Sequence, residues 1–255
     1  QGREAHPERC ICSGCTTRPR LDSDTEVDRV VAHDASSEPA EGARHTVTLS
    51  FDNGPTEITS HVLDVLRDNA VAATFFVVGD KLQAQGRAVL ERARTEGHWI
   101  GNHTMTHSVQ LGTSADPHVV DTEIGQAQEL LGNLTHPDKL FRPYGRGGVL
   151  DRRLLSPRSV RYLEQHSYTL ILWNSISHDW DQPDHWVDRC LEDIERRQWS
   201  LAVLHDIPSG AMARLPEFFD RARQRGIKFT QDFPPSCVPF VRGTQRGSLD
   251  GLISG

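Results

Sequence analysis

The chain has 255 residues, of which 36% are hydrophobic and 25% charged, a composition that fits one sizeable globular domain with or without polar tails. Its formal net charge is −7, from 28 basic and 35 acidic residues, so it lacks the basic surplus typical of proteins that bind nucleic acid. The sequence contains no run of about 18 apolar residues, so it does not predict a membrane-spanning helix. A neutral partner is therefore easier to accommodate than an anionic polymer.

Residues 1–45 contain few large apolar side chains and predict a flexible leader. The first 19 residues lack the apolar segment of a signal peptide, which predicts a cytoplasmic location. Cys10, Cys12 and Cys15 cluster in this leader, but a fourth ligand at suitable spacing is missing, and closed zinc sites nearly always use four. The five cysteines of the chain are odd in number and unevenly spread, so a disulfide framework is not predicted.

From Thr46 onward, short apolar or β-branched runs alternate with helical patterns. The clearest helices are predicted at 58–69, where the apolar residues share one face, and at 212–225, which stops at Gly226. Seven runs predict strands, at 47–51, 73–78, 98–101, 140–142, 169–173, 201–205 and 227–230.

Strands that alternate with helices predict βαβ units and a parallel sheet. We therefore expect an α/β fold, a distorted and incomplete (β/α) barrel of about seven strands. The domain is predicted over residues 46–232, and the Pro-, Gly- and Ser-rich residues 233–255 predict an irregular tail. Barrel enzymes build their active sites at the carboxyl ends of the strands. Five polar residues fall at or just after these ends, namely Asp52, His103, Arg142, Asn174 and His205.

The pair His103 and His107, four residues apart, presents two imidazoles on one side of a helical turn, and imidazole is a common metal ligand. Asp52 follows a predicted strand and precedes a Gly-Pro turn, where a carboxylate can take a proton from a water that a metal has made acidic. Each residue alone also has an ordinary structural explanation, such as an Asp that bonds to its own turn. Their coincidence at one face favours a metal-dependent hydrolase.

Five segments in this order resemble the motifs of the polysaccharide deacetylases of carbohydrate esterase family four, over roughly residues 48–207. The segments are SFDNGP at 50–55, HTMTH at 103–107, RPYG at 142–145, SISHDW at 175–180 and VLH at 203–205. The family patterns are T-F-D-D-G-P, H-[ST]-x-x-H, R-x-P-Y-G, D-x-x-D-W and L-x-H. This chain departs from them at Asn53, in a third motif shorter by one residue, and in the missing first Asp of the fourth motif.

The resemblance implies four catalytic residues. Asp52 corresponds to the general base and Arg142 to the residue that orients it. His205 corresponds to the general acid that protonates the departing amine, and Asp179 to the carboxylate that orients this acid. The implied reaction removes acetyl groups from N-acetylated sugars, so the expected partner is a poly- or oligosaccharide that bears N-acetyl groups. Members of this family are often secreted or located in the cell envelope.

The resemblance also implies a divalent metal, zinc in the first instance and cobalt or nickel as alternatives, held by His103, His107 and the residue at position 53. The family has Asp at that position. Asn53 offers a neutral oxygen, which predicts weaker retention of the metal. Tyr144 and Trp180 are the implied substrate contacts, since an aromatic face can stack on the apolar face of a sugar ring.

Two other functions stay open at this point. A carbohydrate-binding pseudoenzyme would keep the fold and the cleft and would have lost its metal-dependent activity through Asn53. Such a protein does not need the four catalytic residues together. A hydrolase of a small non-sugar amide would share the chemistry of the site and differ only in the shape of its cleft.

Overall fold

The computed structural model describes residues 45–255, so the predicted leader up to residue 44, with Cys10, Cys12 and Cys15, lies outside the described residues. The ten strands of the described region are β1 Thr46–Gly54, β2 Thr74–Val77, β3 Trp99–Asn102, β4 Leu140–Phe141, β5 Thr169–Leu170, β6 Ser175–Ile176, β7 Trp199–His205, β8 Lys228–Thr230, β9 Phe240–Val241 and β10 Thr244–Gln245. Its α-helices are α1 Thr59–Asp68, α2 Ala84–Thr95, α3 Ala127–Leu131, α4 Pro157–Gln165, α5 Trp186–Glu195 and α6 Leu215–Gln224. A π-helical turn, Asp121–Gln126, precedes α3.

All ten strands join one sheet in the order β10-β9-β5-β4-β3-β2-β1-β7-β6, with β8 paired to the start of β1. In this order, each neighbouring pair in the stretch β5-β4-β3-β2-β1-β7-β6 is parallel. Strand β9 runs antiparallel to β5. Among the described residues β5 and β6 do not pair, so the barrel stays open between them. The expected α/β fold and incomplete barrel are confirmed, with ten strands instead of about seven.

Strand β1 is central because its sequence suits burial on both faces. Its β-branched and apolar residues are almost all inaccessible to solvent, as is typical of a parallel strand covered on both sides. It pairs with β2 on one side and β7 on the other, and this register sets Asp52 directly beside His205. Two polar residues that are 153 positions apart in the chain thus become neighbours at one end of the sheet.

The main apolar core lies between the sheet and the helices. Helix α1 turns Val62, Leu63 and Leu66 inward, and α6 does the same with Phe218 and Phe219. Helix α6 ends just before Gly226, whose φ of 67° is the left-handed conformation that commonly terminates a helix. Within residues 45–255 no helix is both long and apolar enough to cross a membrane.

The last part of the chain belongs to the fold more closely than its composition predicts. Residues 233–255, for which the sequence predicts an irregular tail, contribute β9 and β10 to the edge of the sheet. Phe233 and Phe240 are fully buried, and Phe240 pairs with Leu170 of β5. The two strands have only two residues each, which is too short for an alternating pattern to be visible in the sequence.

Candidate active site

A cleft of about 210 Å³ opens at the carboxyl ends of the parallel strands. Seven of the predicted site residues line it, namely Asp52, Asn53, His103, His107, Tyr144, Trp180 and His205. The other two, Arg142 and Asp179, are fully buried and bond to residues of the lining. The structure therefore brings all nine predicted residues together. Asn174 instead bonds to the backbone of β7, where its Oδ1 accepts from the N–H of Leu201 at 2.7 Å.

A carboxylate pairs with a buried arginine at the edge of the cleft. Nη1 of Arg142 donates to Asp52 Oδ1 at 2.7 Å and to Ser50 Oγ at 2.8 Å. Nη2 donates to the carbonyl of Leu172 at 3.1 Å, and the guanidinium lies 3.9 Å from the ring centroid of Phe76. Burial alone would raise the pKa of Asp52, but the charge of Arg142 holds this pKa below its ordinary value. Asp52 is therefore an oriented anion, the state that a general base requires.

Two imidazoles lie beside Asp52. Nδ1 of His103 lies 2.8 Å from the carbonyl oxygen of Arg142, so this nitrogen carries the proton, and Nε2, 3.4 Å from Asp52 Oδ2, keeps its lone pair. The ring centroid of His107 is 4.7 Å from that of His103. Burial lowers the pKa of both histidines, that of His107 to about 3, so both are neutral at physiological pH. A neutral imidazole whose other nitrogen donates to a carbonyl is typical of a metal ligand.

Asn53 adds an amide oxygen to the same cleft. Its φ is 73°, a conformation that Asn adopts more readily than most residues. Its Oδ1 is buried and has no hydrogen-bond partner within the described residues, which in a native protein points to a bound group that satisfies it. No three His, Cys, Asp or Glu side chains between residues 45 and 255 are placed to share one ion. A divalent metal here fits His103, His107 and the Asn53 amide, with a neutral oxygen in place of a carboxylate.

A second carboxylate holds His205 at the end of β7. Asp179 Oδ1 lies 2.8 Å from His205 Nδ1, and Asp179 Oδ2 accepts from the backbone N–H of His205 at 2.8 Å. Ser177 Oγ donates to Asp179 Oδ1 at 2.9 Å. Burial alone would lower the pKa of His205, but the carboxylate of Asp179 raises it above its ordinary value. The bond at Nδ1 leaves Nε2 of a readily protonated imidazole for the cleft, which suits a general acid.

Two aromatic side chains form part of the cleft wall. Tyr144 packs on His107, with ring centroids 4.3 Å apart. Trp180 meets His205 edge-on at 4.9 Å and stacks on His178 at 4.7 Å. Both rings are half-buried and line the cleft beside the charged groups. Their apolar faces lie next to polar groups. This arrangement suits a sugar ring, which has an apolar face and polar hydroxyl groups around it.

Comparison with known proteins agrees with this geometry. The sequence model of the polysaccharide deacetylase family matches residues 40–171, just over half of the chain. The chain belongs to the polysaccharide deacetylase family. It is 30% identical to the protein YheN of Bacillus subtilis over 72% of this chain and 66% of YheN. It is 27% identical to a peptidoglycan-N-acetylglucosamine deacetylase of Bacillus cereus, over 72% of this chain and 84% of that protein.

The fold agrees with the same assignment. A family 4 carbohydrate esterase from Streptomyces lividans, solved in complex with acetate, superposes with a TM-score of 0.62 at 26% identity. The superposition covers 77% of this chain and 97% of the esterase. The expected family, and with it the class of polysaccharide deacetylase among the hydrolases, is confirmed.

Asp206 is a buried residue next to His205 that does not line the cleft and that the sequence does not single out, because an Asp at a strand end looks like an ordinary turn residue. Its Oδ2 accepts a hydrogen bond from Thr59 Oγ1 at 2.5 Å. Its Oδ1 is buried without a partner in the described part of the chain, and burial raises its pKa to about 7. A Cβ at Gly54 would collide with this carboxylate, so the close approach of β1 requires a glycine there.

Asp206→Asn should make the protein more stable than the wild type at about pH 8, and the advantage should shrink toward about pH 5. A carboxyl whose pKa is higher in the folded than in the unfolded state stabilises the fold while protonated, and this contribution is lost as pH rises from about 4 to about 7. The limit of the effect is roughly 4 kcal/mol. Urea unfolding across this range measures it, with exposed Asp220→Asn as the control. Parallel pH curves for wild type and Asp206→Asn would contradict the prediction.

Proposed function

We propose that this protein is a metal-dependent hydrolase that removes acetyl groups from the N-acetylated sugars of a poly- or oligosaccharide. The observation that carries the proposal is the register of β1 and β7, which sets an anionic carboxylate, Asp52, beside a readily protonated imidazole, His205. Hydrolysis of an amide needs both groups, because water must lose a proton and the amine must gain one. The Bacillus cereus relative is named for a substrate of this class, the N-acetylglucosamine of peptidoglycan.

In the proposed reaction, Asp52 takes a proton from the attacking water while Arg142 holds its carboxylate in place. The water oxygen forms a bond to the acetyl carbon. His205 then gives its proton to the sugar nitrogen as the carbon–nitrogen bond breaks, which releases acetate and a free amine. Asp179 keeps Nδ1 of His205 occupied, so Nε2 delivers this proton. Tyr144 lines the same cleft, and in the proposed reaction a backbone N–H near it would donate to the acetyl oxygen as this oxygen gains negative charge.

A divalent cation would be held by His103, His107 and the amide oxygen of Asn53, with zinc proposed first and cobalt or nickel as alternatives. When bound, it supplies positive charge that polarises the acetyl carbonyl and makes the attacking water more acidic. Two features of the protein favour binding of such a cation. The carbonyl of Arg142 fixes the tautomer of His103, and burial keeps both imidazoles neutral.

The direct test is acetate release from N-acetylglucosamine oligomers, with and without added zinc, combined with metal analysis of the purified protein. The proposal predicts release that depends on metal and that a chelator removes. Release at the background rate under every metal condition would refute it.

One observation favours the second candidate, a carbohydrate-binding pseudoenzyme. Asn53 leaves the candidate metal centre without the negative charge that a carboxylate would bring, and zinc sites are mostly built from imidazole, thiolate and carboxylate. Binding of the same oligomers without acetate release would support this candidate.

Asn53→Asp separates the two candidates. The change keeps the volume of the side chain, and Asp tolerates the left-handed backbone almost as well as Asn. It adds a negative charge beside His103 and His107, so we expect the affinity for zinc to rise by about tenfold or more. Calorimetric titration of metal-free protein measures this, with exposed Asn133→Asp as the control.

The outcome for activity then identifies the wild type. If the wild type is an enzyme limited by metal retention, the variant reaches the same maximal rate at a lower zinc concentration. If the wild type is a pseudoenzyme, acetate release begins only in the variant. An unchanged zinc affinity in Asn53→Asp would show that residue 53 does not face the metal.

A further inference from the structure

The segment 103–107, called the imidazole loop below, holds both candidate metal-ligating histidines in an unusual backbone conformation. Thr104 has a φ of 68° and His107 a φ of 53°, in the left-handed region that residues other than glycine rarely adopt. Such conformations persist only where the surrounding structure enforces them. The contacts that hold this loop therefore determine where the imidazole of His107 points.

The segment after β2 holds the middle of the imidazole loop. The N–H of Gly79 donates to the carbonyl of Thr104 at 3.0 Å, and the N–H of Asp80 donates to the carbonyl of Met105 at 2.9 Å. A Cβ at Gly79 would lie 2.5 Å from the sulfur of Met105, so the two segments are in close contact. None of these bonds reaches Thr106, the residue directly before His107.

Thr106 is held from the other side by Glu123, a residue that the sequence motifs do not include. Glu123 is 3% exposed. Its Oε2 accepts from the N–H of Thr106 at 3.0 Å, and its Oε1 accepts from Thr106 Oγ1 at 2.7 Å. Because the Thr106 hydroxyl gives its proton to Glu123, Ser108 Oγ is the donor in its 2.6 Å bond to Thr106 Oγ1. Both oxygens of one buried carboxylate thus bond to the residue next to His107.

The helical turn that carries Glu123 has an unusual geometry of its own. It is π-helical from Asp121 to Gln126, and π-helical turns are rare and frequently occur at functional sites. The carbonyl of Ile124 in this turn accepts from Asn102 Nδ2 at 2.9 Å, and Asn102 Oδ1 accepts from the N–H of Thr104 at 2.9 Å. The turn therefore holds the imidazole loop near its start as well as near its end.

The burial of Glu123 makes the loss of this contact costly. The hydrogen bonds of Glu123 come from the N–H and the hydroxyl of Thr106, which are both uncharged groups. A buried carboxylate is costly unless hydrogen bonds compensate for lost water, and here Thr106 supplies those bonds. A shift of Thr106 away from Glu123 would leave a buried carboxyl group without these hydrogen bonds, which favours the observed position of the imidazole loop.

We propose that Glu123 is a positioning residue for His107, whose imidazole it holds in the metal-binding orientation through Thr106. This inference rests on the proposed function only for the identity of the bound ion. Glu123 itself does not touch the metal or the substrate in this proposal.

Glu123→Ala removes both acceptors and should weaken zinc binding by roughly 10–100-fold, the usual effect of losing a group that orients a metal ligand. Glu123→Gln should bind zinc nearly as well as the wild type, because its amide oxygen still accepts from the N–H of Thr106 and its amide nitrogen donates to Thr106 Oγ1. Glu129→Ala, at an exposed position of α3, is the matched control and should bind zinc like the wild type. Calorimetric titration of the metal-free proteins with zinc gives the three affinities.

Nuclear magnetic resonance of the histidine imidazoles in the metal-free proteins is the second measurement. The signals of His107 should move or broaden in Glu123→Ala and stay in place in Glu123→Gln. This measurement does not depend on the proposed function: a wild type that binds no zinc would refute the metal site, whereas the signals of His107 would still decide the role of Glu123.

Two results would overturn the inference. One is a Glu123→Ala protein with wild-type zinc affinity and unchanged His107 signals. The other applies if Glu123→Ala does not fold, in which case Thr106→Val, which removes only the hydroxyl donor, is measured in its place. Wild-type zinc affinity and wild-type His107 signals in Thr106→Val would show that the bond to Glu123 does not position the imidazole loop.

Discussion

Replacing His205 with alanine should lower the rate of acetate release by roughly 10²–10⁴-fold, the usual contribution of a general acid. Zinc uptake should not change, because His205 bonds to Asp179 and is not among the proposed metal ligands. The rate and the metal content are measured on the same preparation. His61→Ala, at an exposed position of α1, removes the same side chain away from the cleft and serves as the control. A loss of bound zinc together with activity would show that His205 is a ligand and not the acid.

The pH dependence of the rate checks the same role. His205 acts in its protonated form, so the rate should fall as the pH rises through the pKa of this residue. Asp179 raises that pKa, with Asp52 and Asp206 as further acidic groups near the imidazole. Asp179→Asn should therefore shift the fall in rate to a lower pH. A fall at the same pH in both proteins would assign it to a different group.

Arg142→Met should lower the free energy of unfolding by about 3–5 kcal/mol, because it leaves the buried carboxylate of Asp52 without its cation. Urea unfolding at neutral pH measures the loss. Arg153→Met removes an exposed arginine that pairs with Asp151 at the surface and should leave the stability nearly unchanged. The double variant Arg142→Met with Asp52→Asn should recover part of the loss, since the unpaired charge is then gone. Equal stability of Arg142→Met and the wild type would contradict the pairing.

The strands that the sequence predicts are those with visible patterns. Strands β1 and β7 are long and rich in apolar residues, and the predicted bounds of both lie within three residues of the observed ones. Strands β4 and β5 have two residues each but fall within runs that the sequence predicts as strands, whereas the equally short β6, β9 and β10 do not and are defined by tertiary contacts. Phe240 is buried because β9 pairs with β5, which is distant in the chain. The local composition around Phe240 does not show this pairing and predicts an irregular tail.

In the candidate site, too, residues with a recognisable local pattern are predicted and residues defined by distant contacts are not. The rule that polar residues at carboxyl ends of parallel strands meet at one edge correctly predicted that Asp52, His103 and His205 lie in one cleft. The sequence does not predict the contacts of Glu123 and Asp206, because these contacts are hydrogen bonds to partners in other parts of the chain. A glutamate in an amphipathic segment and an aspartate at a strand end carry no local signal of such partners.

Arg142 also has a mechanical consequence for a barrel that does not close. It follows β4, yet its guanidinium bonds to Ser50 and Asp52 on β1 and to the carbonyls of Ile171 and Leu172, which follow β5 beside the opening. This planar group links the residues after β5 to β1, the central strand of the curled sheet. A motion that separates the end of β5 from β1 would break at least one of these bonds to the buried guanidinium, so the bonds hold Asp52 at a fixed distance from this side of the sheet.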